Sequence, residues 1–448
     1  MELLLLGIFA AVLLLCVFTG LSIIYAMILG LVLFFTYGLI KKKTWKKMLI
    51  FSWQGVKTAK NILLTFILIG IMTAVWRASG SIAFIVYYAS GVCAPSIMLL
   101  ASFLLCSLVS FLTGTAFGTA ATMGVICMTM AKSMNVSDVL AGGAILAGIY
   151  FGDRCSPVST SALLVSELTK TDLYENLKGM AKTALVPFII SCTVYWTLGL
   201  RTHVGTADGE IRTILGEFYH LSVWTLLPVA VVLVLSAMRV NVKRTLAASA
   251  LCGIFVAVLI QKYPVSGLPS LCISGFQPDD MQISRLMGGG GILSNMKVIA
   301  IVGISSCYSG IFKGTDFLHE IKDLVGKLNG KITPFGTTLL TSVVTAAVSC
   351  NQTLSIMLTN QLCGENNPDK KEFALSLENS AVVVAPLIPW SIASAVPLAF
   401  IGAPTVSVCA AIYLYLLPVW HFLTRQNKRT GYCKGKKVSG KKQTLPYS

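Results

Sequence analysis

A chain of 448 residues that is 55% hydrophobic and only 12% charged, with mean hydropathy +0.78, has too little polar surface for a water-soluble globule. It reads as a polytopic membrane protein. The net charge of +17 does not indicate nucleic acid, because Lys and Arg gather at Lys41 to Lys47 and after Phe422 with no basic-aromatic surface to read bases.

The first apolar run, Leu3 to Phe18, lacks a basic leading segment and is followed at once by Leu21 to Ile40. It is expected to be an anchor rather than a cleaved signal. Further apolar spans are predicted at about 60–79, 95–112, 117–134, 139–153, 183–200, 221–239, 245–261, 295–312, 333–349, 379–396 and 400–422. Shorter pieces around 81–92, 156–166 and 351–362 read as half-helices, which gives an all-α protein of eleven to fourteen spans. Thirteen cysteines lie scattered in apolar runs with no CxxC pair or Cys/His cluster. They read as small apolar fillers, and no metal or cofactor is expected.

A pattern of spans followed by a polar break occurs twice. Ile69-Gly70-Ile71-Met72 leading to Trp76-Arg77-Ala78-Ser79-Gly80 is answered by Val302-Gly303-Ile304 leading to Ile311-Phe312-Lys313-Gly314-Thr315. Thr113 through Gly118 is answered by Ser349 through Gln352, and Asp153 through Ser161 by Glu378 through Trp390. The copies would be 1–200 and 221–422, joined by an extracytoplasmic connector, 201–220, and followed by a basic cytoplasmic tail, 423–448. Loop charge orients them oppositely. In the first copy the second loop carries Lys41, Lys42, Lys43, Lys46 and Lys47; in the second copy the first loop carries Arg239, Lys243 and Arg244. Both termini are then expected in the cytoplasm of a cell-membrane protein. Inverted repeats with interrupted helices meeting near mid-depth are the architecture of secondary transporters.

Polar residues at the breaks are the candidate site. Pro157 removes a backbone donor and disfavours helix at Ser156, so the helix arriving from Leu140 should break there. Such a break survives in lipid only where it lines a protein cavity. Asp153, a lone intramembrane carboxylate, suits a cation or a proton; the alternative is a structural pair with Arg154. Ser156, Ser159, Thr160 and Ser161 offer hydroxyl oxygens to Na⁺, or else cap the following half-helix. Thr113, Thr115 and Thr119, spaced by Gly114 and Gly118, form a face suited to close packing or to ligation. Ser349, Asn351, Gln352 and Ser355 are too polar to face lipid. Glu378, with Asn379 and Ser380, is either a site carboxylate or a helix end at the surface. Arg77 and Lys313, each before a Gly-containing turn, would by default snorkel to the interface, and Arg77 or Arg154 could face a substrate carboxylate. Gly288 to Gly291 lacks the strand and Lys of a phosphate cradle and reads as a flexible entry to the next span. His203, His220, His319 and His421 lie near span ends, which leaves an intramembrane enzyme without its base or metal set.

Gly152-Asp153-Arg154-Cys155-Ser156-Pro157-Val158-Ser159 resembles the Gly-Asp-Lys-x-Ser-Pro-x-Ser signature of the NhaC family of Na⁺/H⁺ antiporters, which includes malate/lactate exchangers. The likeness extends to Ala78-Ser79-Gly80, Thr113 through Thr119, Gly289 through Ser294, Leu354-Ser355-Ile356 and Ser380 through Trp390, nearly the whole chain to Phe422. The resemblance implies an ion-transporter fold and cation-coupled antiport. Three acids that it would lead one to expect are neutral here, at Thr160, Asn351 and Asn379. The expected partners are therefore Na⁺ and H⁺, or a small organic anion or amino acid, within a lipid bilayer, with a homodimer as one arrangement.

Overall fold

The computed structural model describes residues 2–19, 21–90, 94–201, 208–238, 240–315, 317, 333–364, 367 and 369–435. The middle of the connector, the tail after 435, His203 and His319 lie outside the described residues. Among the described residues the chain is helical throughout, and strand-like pairing is limited to one bridge, Phe276 to Gly289.

The first half comprises α1 (Glu2–Thr19), α2 (Ile23–Ile40), α3 (Trp45–Ala78), α4 (Ser81–Ser90), α5 (Met98–Thr113), α6 (Ala116–Thr119), α7 (Val125–Ser133), α8 (Asp138–Cys155), α9 (Thr160–Thr169) and α10 (Leu173–Leu200). A π turn, Ala120–Gly124, joins α6 to α7. The connector helix α11 (Asp208–Phe218) precedes α12 (Leu227–Ala237), α13 (Val242–Leu259), α14 (Leu268–Ser274), α15 (Met281–Met287), α16 (Gly291–Ser294) and α17 (Met296–Thr315). The chain closes with α18 (Pro334–Ser349), α19 (Gln352–Cys363), α20 (Lys370–Glu378), α21 (Ala381–Val384), α22 (Ile392–Ile401) and α23 (Ile412–Gly435). This is an all-α polytopic membrane protein.

Among the described residues, α5 with its preceding turn, α10 and α17 are the unbroken helices long and apolar enough to cross a bilayer by themselves. Three bent pairs are long and apolar enough together, each a broken span or a re-entrant loop: Leu63–Ala78 with Ser81–Tyr88 at 60°, Arg212–Phe218 with Val223–Leu235 at 99°, and Lys370–Leu387 with Ile392–Ile401 at 54°. Five shorter apolar helices complete the set. The continuous spans expected at 379–396 and 400–422 are therefore interrupted. Pro386 and Pro389 remove backbone donors, leaving Ile388 extended between Leu387 and Ile392. The half-helices expected near 81–92, 156–166 and 351–362 are α4, α9 and α19.

Two neighbourhoods of packing organise the bundle. Around α3 gather α2, α4, α13, α14, α16 and α17, with α1 on α2 and α12 on α13, while α8 and α10 pack with each other, with α5 and with α23. Helices α3 and α17 run antiparallel in backbone contact, because Gly55 faces Ser306 and Gly310 while Gly70 faces Gly291 and Asn295. A Cβ at Gly55 would stand 1.9 Å from the Ser306 carbonyl oxygen, and one at Gly310 1.9 Å from that of Phe51. Small residues permit this close approach.

The run Gly288 to Gly291 is not a loose entry. Gly289, Gly290 and Gly291 have φ of 119°, 78° and 81°, and a Cβ on Gly290 or Gly291 would strike the backbone of Ala74 or Gly275. Glycine is required here for packing against α3 rather than for mobility.

Candidate functional site

Two elbows of one backbone design sit at the centre. Helix α5, sixteen residues long, ends in left-handed Gly114 (φ 65°), and extended Thr115 then caps α6 by accepting from the Gly118 amide. Helix α18, also sixteen residues, ends in left-handed Cys350 (φ 53°), and extended Asn351 caps α19 by accepting from the Leu354 amide. Each elbow is locked by a second break. Gly114 lies against the backbone of Val158, and the Cys350 carbonyl accepts from the Ile392 amide at 2.8 Å.

The third break carries the carboxylate. Helix α8 stops at Cys155, Ser156 is extended ahead of Pro157, and Ser159 caps α9 by accepting from the amides of Ser161 and Ala162. With its oxygen so occupied, the Ser159 hydroxyl donates towards Asp153 Oδ1 at 3.4 Å. Ser161 Oγ stands 3.1 Å from Asp153 Oδ2 and 3.2 Å from its carbonyl oxygen. Gln352, the first residue of α19, brings Nε2 to 3.5 Å from Oδ2 while donating to the Val382 carbonyl at 2.9 Å. The Ala116 amide, first in α6, also faces the carboxylate. Asp153 is 4% exposed, so neutral donors from three interrupted segments surround a buried acid.

Arg154 points the other way. All five of its N–H groups are used by the protein: Nε donates to the Glu378 carbonyl (3.2 Å), Nη1 to the Met180 carbonyl (3.3 Å) and Cys155 Sγ (3.2 Å), and Nη2 to Thr183 Oγ1 (3.0 Å) and Asn379 Oδ1 (2.5 Å). The alternative of a structural pair between Asp153 and Arg154 does not form, because adjacent helical residues diverge. With no donor spare, Arg154 has none to offer a substrate carboxylate in this arrangement. It ties α8 to α10 and α20.

Glu378 is fully buried rather than at the surface. Neither carboxyl oxygen has a hydrogen-bond partner among the described residues, nor does Asn379 Nδ2. A buried carboxyl without donors is costly, and the opposite charge acting on this one is Arg154, whose Nε holds the Glu378 carbonyl.

The remaining predicted residues divide. Ser156 Oγ accepts from the Val158 amide and Ser380 Oγ donates to the Ser376 carbonyl, so both serve their own turns. Thr160 is exposed and has no contact with Asp153. Thr113 and Thr115 line a small separate pocket with Thr122 and Thr245, of about 20 Å³. Ser349 and Asn351 line a different cavity of about 220 Å³. Arg77 does not snorkel freely: its Nη1 donates to the Gly288 carbonyl at 3.2 Å and its Nε is buried without a partner. Ser355, expected from the sequence to be too polar for lipid, lies in a buried cluster with Thr345 and Thr359, whose hydroxyls are 2.7–3.1 Å apart; sequence reasoning missed these two threonines and Thr183. A buried Arg154 requires acceptors, but nothing in the sequence says that α10 supplies one.

A family profile described as the Na⁺/H⁺ antiporter family matches residues 148–424. An uncharacterized Na⁺/H⁺ antiporter of Haemophilus influenzae is 29% identical over 371 residues, covering 78% of this chain and 79% of its own. A malate-2H⁺/Na⁺-lactate antiporter of Bacillus subtilis is 24% identical over 380 residues, 82% and 81% of the two chains. An arginine/ornithine antiporter of Halobacterium salinarum is 26% identical over 390 residues, 84% and 80%. The matched span takes in the Asp153 break and more than half of the chain, and on that extent the chain belongs to the Na⁺/H⁺ antiporter family.

Proposed function

We propose that the protein is a secondary antiporter in which Asp153 carries Na⁺ and H⁺ alternately. The observation that carries this reading is a buried carboxylate held only by neutral donors, with its neighbouring guanidinium turned away. An acid so placed has no fixed counter-charge at hydrogen-bond distance, so a mobile cation or a proton is its natural partner. Occupation by one excludes the other, and that competition couples the two fluxes. Ser159, Ser161 and Gln352 hold the carboxylate where three broken segments meet. Glu378, buried with its oxygens unoccupied, is a second acid within the electrostatic reach of Asp153.

The halves 1–200 and 221–422 are taken as two copies of one design, which the matching Gly114 and Cys350 elbows support, and as oppositely oriented because Lys41 to Lys47 follow the second span of the first copy whereas Lys243 and Arg244 follow the first span of the second. The basic stretch Lys41 to Lys47 and the basic tail put both termini in the cytoplasm of a protein of the cell membrane. The test is Na⁺-dependent pH change in proteoliposomes carrying an internal pH dye. Wild-type protein is expected to move protons against a Na⁺ gradient, and Asp153→Asn to abolish that movement while remaining folded. Undiminished exchange in Asp153→Asn removes the residue from the mechanism.

A further inference from the structure

Three ionisable side chains are buried together at the α8 and α20 breaks, Arg154 and Glu378 at 0% and Asp153 at 4% exposure. The guanidinium keeps its charge at any pH, yet all five of its acceptors are neutral: two carbonyls, a thiol, a hydroxyl and an amide oxygen. A fixed positive charge shut away from water needs a negative one beside it. Asp153 turns its oxygens to Ser159, Ser161, Gln352 and the Ala116 amide, and the groups acting most strongly on it are those donors, not Arg154. Glu378 is held into the arginine's surroundings by its own carbonyl, 3.2 Å from Nε, and its carboxyl lies in the field of that guanidinium. Asn379 Nδ2 and Tyr413 Oη flank the same group and, like both Glu378 oxygens, have no hydrogen-bond partner among the described residues. Two orphan donors and two orphan acceptors around one guanidinium are a complementary set, of the kind that bridging water joins.

We infer that Glu378 is the counter-charge of Arg154, and that this pairing leaves the charge of Asp153 to the transported cation. The inference rests on Asp153 as the exchange site and adds the residue that keeps it free of an internal partner. With Glu378 ionised, the cluster is neutral when Asp153 holds one proton or one Na⁺ and carries one negative charge when Asp153 is empty. With Glu378 neutral, Arg154 would cancel an empty Asp153, and a bound cation would leave a buried positive charge. Glu378 is thus a positioning residue that acts through Arg154. The other ionisable groups facing the two acids are Tyr150 and Cys155 of α8 and Tyr413 of α23. The acidic and basic side chains of α9, α10 and the first turn of α20 are exposed, α6, α18 and α21 carry none, and the thiols of Cys106 and Cys363 face Cys127 and Thr341.

The test is Na⁺/H⁺ exchange across pH in proteoliposomes holding the purified full-length protein. Glu378→Gln leaves Arg154 unbalanced, so Asp153 is satisfied from within and holds proton and Na⁺ alike more weakly. The pH profile is expected to move to acid by about one unit, and half-saturation by Na⁺ to rise about tenfold. Glu378→Asp, which keeps the charge, should keep the wild-type profile. An unmoved profile in Glu378→Gln, a shift to alkaline pH, or fewer protons moved per Na⁺ overturns the inference. If Glu378→Gln does not fold, Glu378→Asp decides: it keeps the charge and not the shape, so its folding supports the pairing and its failure overturns it. Asp153→Asn tells the two readings apart. Exchange persisting there removes Asp153, whereas exchange lost there together with a wild-type profile in Glu378→Gln removes the pairing alone.

Discussion

Replacing Arg154 by lysine keeps the buried positive charge and changes only the number and geometry of donors. The guanidinium spends five N–H groups on five acceptors from α8, α10 and α20. An ammonium has three, so at least two bonds are lost, and the planar fork cannot be reproduced from one nitrogen. At roughly 1.5 kcal/mol for each bond to a charged group, Arg154→Lys should cost about 3 kcal/mol. Denaturation by sodium dodecyl sulfate in mixed micelles, followed by circular dichroism, measures it. A double-mutant cycle with Asn379→Ala should return a coupling of about 1.5 kcal/mol for the Nη2 to Oδ1 contact. A loss under about 1 kcal/mol for Arg154→Lys, or no coupling with Asn379, would refute the assignment of this arginine as the tie between the α8 break and the α20 break.

Ser161→Ala removes the shortest donor to the Asp153 carboxylate; with about 1 kcal/mol lost from the ionised form, half-saturation by Na⁺ should rise about fivefold, more so at lower pH where the proton competes, and exchange assays across pH will read it. Gly114→Ala places a side chain at φ 65° and 2.7 Å from the Val158 backbone, which should cost at least ~1–2 kcal/mol and slow exchange. Gly55→Ala should lower stability by about 1–3 kcal/mol because the α17 backbone must move away. Gly303→Ala in the same α17 meets nothing within 4 Å and should be neutral or stabilising by about 0.5–1 kcal/mol, so one unfolding series compares the two.

How much of this could be read from residues alone follows their chemistry. The break after Asp153 was legible because proline at 157 leaves few conformations for Ser156. Tight approach at Gly114 was legible as a run of small residues. The place of the second elbow was legible from its match to the first, but its left-handed residue was not, since Cys350 stands where glycine or asparagine would be the signal. The Pro386 to Pro389 interruption was visible, whereas Ser380, where α20 gives way to α21, carries no helix breaker. Charge misled where partners are remote in sequence. Arg154 was weighed as a mate for the acid beside it, but its acceptors come from 26 or more positions away except for Cys155. Glu378 gave no hint of burial, because Lys370, Lys371 and Glu372 one to two turns earlier are exposed.

The glycine seam between α3 and α17 has a mechanical meaning. One of these helices comes from the first half of the chain and the other from the second, yet at Gly55 and Gly310 no side chain separates them, so one cannot slide along the other without bringing side chains against main chain. A close-packed seam therefore crosses the boundary between the sequence halves, and relative movement of helices meets more resistance there than between helices held apart by side chains.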